Sequence, residues 1–220
     1  MKCCVIVGAG PQMGVSIAHR FAREGFTIAL VSRNADKLVT ELRQLEHMKD
    51  YDVHGFPANA ADPESLRTTF AHIEDQLKAP DVLVYNAAGY GDGLPSTVDV
   101  AVLLDAVRVN LIGAVVSAQW AVPAMREAGM GTILFTGGGL AINPRPEYVA
   151  LSTGKAALRN YVNSLAKEVT ADGIKVGIVT VAGYIHKEDG FDPDDIADKY
   201  WQLHTAALSV DNWEIIYKGT

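Results

Sequence analysis

Short apolar segments recur along this chain at residues 3–7, 28–31, 53–56, 82–84, 133–135 and 176–181, with a weaker one at 214–217. Several show no polar alternation at all. A strand with one face in water alternates apolar and polar residues, whereas a strand covered on both faces does not. These segments therefore predict strands of a sheet buried between two layers. Helical patterns lie between them. Residues 15–23 put Ile17, Ala18, Phe21 and Ala22 on one stripe, and residues 36–48 follow a cap at Asn34. Residues 63–77 open with Asp62 at the cap and Pro63 in the first turn. Residues 98–128 read as two helices or one bent one, and 148–170 repeat Leu158, Val162, Leu165 and Val169 at helical spacing. A last helix is expected over 193–208. Alternation of this kind means right-handed βαβ units and a doubly wound α/β sheet with helices on both faces.

No repeat, low-complexity tract or linker interrupts the 220 residues, so one domain is expected over 1–220, with a short C-terminal substrate region at about 184–210. At 49% hydrophobic residues the chain has ample core material. Its net charge of −7 and the lack of a Lys/Arg cluster argue against nucleic acid or an anionic membrane as partners. Cys3 and Cys4 are adjacent, which suits two small core residues better than a disulfide. That fits a reducing compartment. The apolar run at the start is too short for a signal peptide, and no uninterrupted span of membrane length follows. A cytoplasmic protein is expected.

The first apolar run leads directly into Gly8-Ala9-Gly10-Pro11-Gln12-Met13-Gly14 and then a helix. Glycine lets backbone turn sharply and approach a pyrophosphate, and a helix N-terminus offers free amides and partial positive charge to that anion. The spacing is one residue longer than the usual Rossmann G-x-G-x-x-G. The second strand ends Ser32-Arg33-Asn34. An acid at such a strand end favours the free ribose hydroxyls of NAD, whereas a cation favours the 2′-phosphate of NADP. With no acid and a guanidinium at Arg33, NADP(H) is expected over NAD(H). No metal is expected.

The chain resembles the short-chain dehydrogenase/reductase family in several motifs. Gly8 and Gly14 match the outer glycines of its G-x-x-x-G-x-G pattern, with Gln12 at the middle one. Asp81 followed by Val82-Leu83-Val84-Tyr85-Asn86-Ala87-Ala88-Gly89 is similar to D-V-L-V-N-N-A-G. Val107-Arg108-Val109-Asn110-Leu111 resembles the helix bearing the family's active-site asparagine. Lys155-Ala156-Ala157-Leu158 matches the end of Y-x-x-x-K-A-A-L. Val181-Ala182-Gly183-Tyr184-Ile185 resembles its P-G-x-V turn, with Ala182 for proline. The resemblance implies a single Rossmann domain with a mostly parallel seven-stranded sheet. It also implies adenine contacts at Asn59 and Ala60, ribose contacts along Asn86, Ala87 and Ala88, and nicotinamide contacts at Gly183 and Ile185. A homodimer or homotetramer is implied too, paired through the helices at 98–128 and 148–170.

The same resemblance fixes where the chain departs from the family. Lys155 puts the tyrosine proton donor at position 151, which is Leu151, and its serine partner near position 138, which is Gly138. Asn110 and Lys155 are kept, and Lys155 retains the role of binding the nicotinamide ribose. Tyr148, one turn before Leu151, is the candidate replacement acid. Thr136, Tyr184 and His186 are further polar groups near the expected site. Two readings follow. One is an NADP(H)-dependent oxidoreductase of unknown small-molecule substrate with an altered proton donor. The other is a catalytically inactive dinucleotide-binding sensor or partner subunit. A third, weaker one is hydride exchange aided by positioning alone.

Overall fold

The computed structural model describes residues 2–220. Seven strands form one sheet in the order β3-β2-β1-β4-β5-β6-β7, and every pairing is parallel. They are β1 Lys2–Val7, β2 Phe26–Ser32, β3 Val53–Pro57, β4 Val82–Tyr85, β5 Gly131–Gly138, β6 Ile174–Val181 and β7 Glu214–Tyr217. The helices are α1 Met13–Ala22, α2 Ala35–Gln44, α3 Pro63–Gln76, α4 Val100–Val107, α5 Gly113–Ala128, α6 Val149–Val169 and α7 Pro193–Thr205.

The apolar runs predicted as buried strands are buried. Alternate residues of β1 feed opposite faces. Cys3, Val5 and Val7 join the core under α3, α5 and α6, whereas Cys4 and Ile6 join the core under α1, α2 and α7. Both cysteines are free thiols with no exposure. Asp62 caps α3 as expected, its carboxylate accepting from the amides of Glu64 at 2.9 Å and Ser65 at 3.3 Å. Asn34 precedes α2 but its side chain makes no capping bond. The second helix stops at Gln44 rather than 48, because Leu45 takes an extended backbone that turns Met48 back into the core.

The stretch expected over 98–128 is one continuous helical run from Val100 to Ala128. Between α4 and α5 the segment Arg108–Ile112 forms a π-helical turn. Such turns insert a residue into the ladder and commonly mark functional positions. Val100–Ala128 is long and apolar enough, at a mean hydropathy of 1.9, to cross a membrane by length and composition. Its Ala114, Ala118, Ala121 and Met125 are buried in the core, whereas Val100, Leu104 and Ile112 are exposed.

Strand order reverses between β1 and β4, where the connections leave for opposite faces. Open α/β sheets form their ligand crevices at such a reversal, outside the carboxyl ends of the strands. The glycine loop follows β1 at that point.

Candidate active site

The three loop glycines have different physical reasons to be glycine. Gly8 has φ +81, and a Cβ there would lie 2.3 Å from the Ala87 amide nitrogen. Gly14 packs so that a Cβ would lie 2.8 Å from the Ala9 Cα. Gly10 has nothing within 4 Å of the Cβ position, so its bare backbone faces open space. Helix α1 begins just beyond, with no acid in its first turn and no side-chain cap from Gln12. Its first amides are left for an anion. Together these make the cradle that a pyrophosphate needs.

Two clefts meet there, sharing Gly10, Pro11, Asn86 and Ala88. The first, of about 580 Å³, runs over the ends of β1, β2 and β4 and is lined by Gly8, Ser32, Arg33, Asn34, Asn59, Ala60, Ala87 and Gly89. It also holds Lys37, one turn into α2. The sequence reading missed this second cation because its place beside Arg33 depends on how α2 leaves the strand. Lys37 lies 3.6 Å from Glu41 in an exposed pair, which leaves its charge loosely committed. Asn59 Oδ1 accepts from the Ala61 amide at 3.1 Å, so one of its two lone-pair directions is already taken.

The second cleft, of about 770 Å³, is lined by Gln12, Met13, Gly14, Tyr148, Lys155, Gly183 and Ile185. Gly138 and Leu151 are on its wall too. Every residue expected at the site lines one of the two clefts except Asn110 and His186. The Asn110 side chain is wholly buried in the π turn. It donates to the carbonyls of Gly89 at 2.7 Å and Ala106 at 2.9 Å, and accepts from the Gly89 amide at 3.2 Å. Asn110 thus clamps the loop after β4 from beneath. Gly154 lets α6 close over it, since a Cβ there would be 2.7 Å from the Asn110 Cβ.

Lys155 is 4% exposed. Its Nζ donates to the Thr136 carbonyl at 2.8 Å. Burial lowers its pKa from 10.5 to about 8, because the charged form loses hydration. The Thr136 hydroxyl, one of the polar groups expected near the site, is already committed. Its Oγ1 donates to Asn86 Oδ1 at 2.7 Å and lies 2.6 Å from Tyr200 Oη. A hydroxyl has one hydrogen, so the Tyr200 phenol is the donor to Thr136. Asn86 Nδ2 then donates to the Gly8 carbonyl at 3.0 Å. A chain of polar groups thus runs from α7 through β5 and β4 to the glycine loop. Tyr200 lies some sixty residues from its partner, and nothing in the local sequence pattern links them.

Tyr148 Oη lies 2.8 Å from Tyr184 Oη across the cleft mouth. That bond and the neighbouring phenol raise the Tyr148 pKa above the ordinary phenol range. Tyr184 lines the cleft, whereas His186 does not and lies 3.8 Å from Asp189.

An all-parallel, doubly wound sheet with a glycine loop at its strand reversal defines the Rossmann class of α/β proteins. The family described as short chain dehydrogenase matches residues 2–187, and the chain belongs to that family. It is 29% identical over 189 residues to the 3-oxoacyl-[acyl-carrier-protein] reductase of Rattus norvegicus, covering 85% of this chain and 77% of the relative. It is 29% identical over 182 residues to glucose 1-dehydrogenase of Gluconobacter oxydans, covering 81% of this chain and 67% of that one. Among solved structures, a metagenomic short-chain oxidoreductase in complex with NADP superposes with a TM-score of 0.87 at 24% identity, covering 100% of this chain and 97% of the other. L-sorbose reductase from Gluconobacter frateurii, complexed with NADPH and L-sorbose, superposes with a TM-score of 0.87 at 23% identity, covering 99% and 95%.

Proposed function

We propose that this protein is an NADP(H)-dependent oxidoreductase acting on a small carbonyl or alcohol substrate with an altered proton donor. The observation that carries the reading is the pair of clefts joined at Gly10, with cations at the adenosine end and Lys155 at the other. Bound there, the nicotinamide supplies or accepts hydride. The chain's residues do the rest. Arg33 and Lys37 receive the 2′-phosphate. Lys155 spends one hydrogen on Thr136, which leaves two for the ribose hydroxyls. Tyr148 takes the proton-donor role. Its raised pKa makes it a weaker acid than a free phenol, and the exposed Tyr184 hydroxyl beside it connects its proton to solvent.

The second reading is a nucleotide-binding subunit without turnover, and it is favoured by Leu151 and Gly138 on the cleft wall. NADPH is expected to raise the melting temperature more than NADH does. Arg33→Ala is expected to weaken NADPH binding by about 10-fold and leave NADH unchanged. Tyr148→Phe is expected to lower NADPH-dependent carbonyl turnover by about 100-fold. Turnover untouched by that change removes Tyr148 as the acid. Cofactor binding without turnover across a broad carbonyl panel favours the second reading.

A homodimer or homotetramer is part of the same proposal. Val100 is 67% and Leu104 50% exposed on α4, and Ile112 is exposed about two turns further on. Exposed large apolar groups on a helix mark an interaction face. Size-exclusion chromatography with light scattering is expected to show a mass at least twice 23.6 kDa. A monomer at micromolar concentration would refute it.

A further inference from the structure

The larger cleft carries one charge, that of Arg145, to which cofactor binding gives no role. Although the chain bears a net charge of −7, no Asp or Glu lines this cleft. Its two cations are Lys155 in the floor and Arg145 at the mouth. Lys155 is buried and bonded to Thr136. Arg145 is exposed, and no ion pair with a carboxylate is found for it among the described residues. Its guanidinium lies over the face of Tyr148, 5.7 Å from the ring centre.

The backbone holds it in place. Arg145 sits between Pro144 and Pro146, with φ −120 and ψ 135. A residue before proline is confined to extended backbone, and proline fixes its own φ. The Arg145 carbonyl also accepts from the Tyr148 amide at 3.0 Å, closing a tight turn. A cation presented on so stiff a segment loses little chain entropy when it binds a ligand. Beside it stands the Asn143 side chain, and inward the cleft wall is apolar at Leu140, Leu151 and Ile185.

We propose that Arg145 is the substrate-recognition cation of this cleft, and that the substrate is an apolar molecule bearing a carboxylate. The apolar body lies against Leu140, Leu151 and Ile185, and the carboxylate pairs with the guanidinium at the mouth. A planar fork of donors matches a carboxylate bidentately. The inference rests on the oxidoreductase reading for the identity of the site, but its test does not need turnover.

The test compares phenylpyruvate with phenylacetone, which has a methyl group where the carboxylate stands. Dissociation constants are measured by calorimetry on the full chain, with and without NADPH. NADPH binding is recorded separately by thermal shift. Wild-type protein is expected to bind phenylpyruvate at least about 10-fold more tightly than phenylacetone. Arg145→Gln is expected to abolish that preference while leaving the melting temperature unchanged, and Arg145→Lys to keep part of it. Equal affinity for the two probes, a preference that survives Arg145→Gln, or no binding of either at millimolar concentration would each overturn the proposal. Failure of NADPH to bind would instead sink the oxidoreductase reading, and the Arg145-dependent preference would still be readable without cofactor.

Discussion

The double variant Gly138→Ser/Leu151→Tyr is expected to reduce carbonyl compounds with NADPH at least about 100-fold faster than the wild-type chain. The family register puts a hydroxyl and a phenol at these two positions, and both face the same cleft as Lys155. The structure has room for each. A Cβ at Gly138 would be 3.7 Å from the Lys155 Cγ, an ordinary contact. Leu151 is half-buried on the wall of a cleft of about 770 Å³, so a ring there displaces solvent rather than core. A new phenol one turn from Lys155 gains a neighbouring cation that favours its ionised form, so its pKa falls towards the working range. The expected result is a rise in NADPH consumption with the melting temperature nearly unchanged. If the double variant folds and binds NADPH yet turns over no faster than wild type, the register that pairs Leu151 with Lys155 is wrong.

Lys155→Met is expected to stabilise the protein without cofactor while weakening NADPH binding. The lysine has a folded pKa of about 8 against 10.5 in the unfolded chain. Between those values the unfolded chain binds more protons, so this group's contribution to stability rises with pH. Below about 8 the full penalty of burying the charge is present, and the difference corresponds to about 3 kcal/mol. Losing the donor to Thr136 offsets about 1 kcal/mol. The net gain near neutrality is therefore about 2 kcal/mol, or roughly 5 °C in melting temperature for a chain of this size. The advantage over wild type should shrink as pH is raised from 7 towards 10.5. A variant less stable than wild type at pH 7 would show that the lysine stem and its bond to Thr136 outweigh the cost of the buried charge.

The strands were legible because burial on both faces leaves runs such as Val5, Ile6 and Val7 with no polar alternation. The glycine loop was legible because backbone that turns left-handed or meets Ala87 closely tolerates little else than glycine. Helix ends were less so. Where α2 stops depends on Met48 finding the core, which is a tertiary matter. The site divided along the same line. Residues fixed by local sequence, such as Ser32, Arg33 and Gly183, line the clefts. Groups whose place depends on distant elements were missed, among them Lys37 in the cleft with Arg33 and Tyr200 behind Thr136. Asn110 lay between: its residue type stood out, but only the packing of Gly89 and Gly154 around it explains why it is turned away from both clefts.

The polar chain starts at Tyr200, buried on α7, and its other members, Thr136, Asn86 and Gly8, line the clefts alongside Gly138 and Leu151. The packing of α7 is thus wired to the walls of the site. A change at Tyr200, which lines neither cleft, would therefore reach the glycine loop through two intervening side chains.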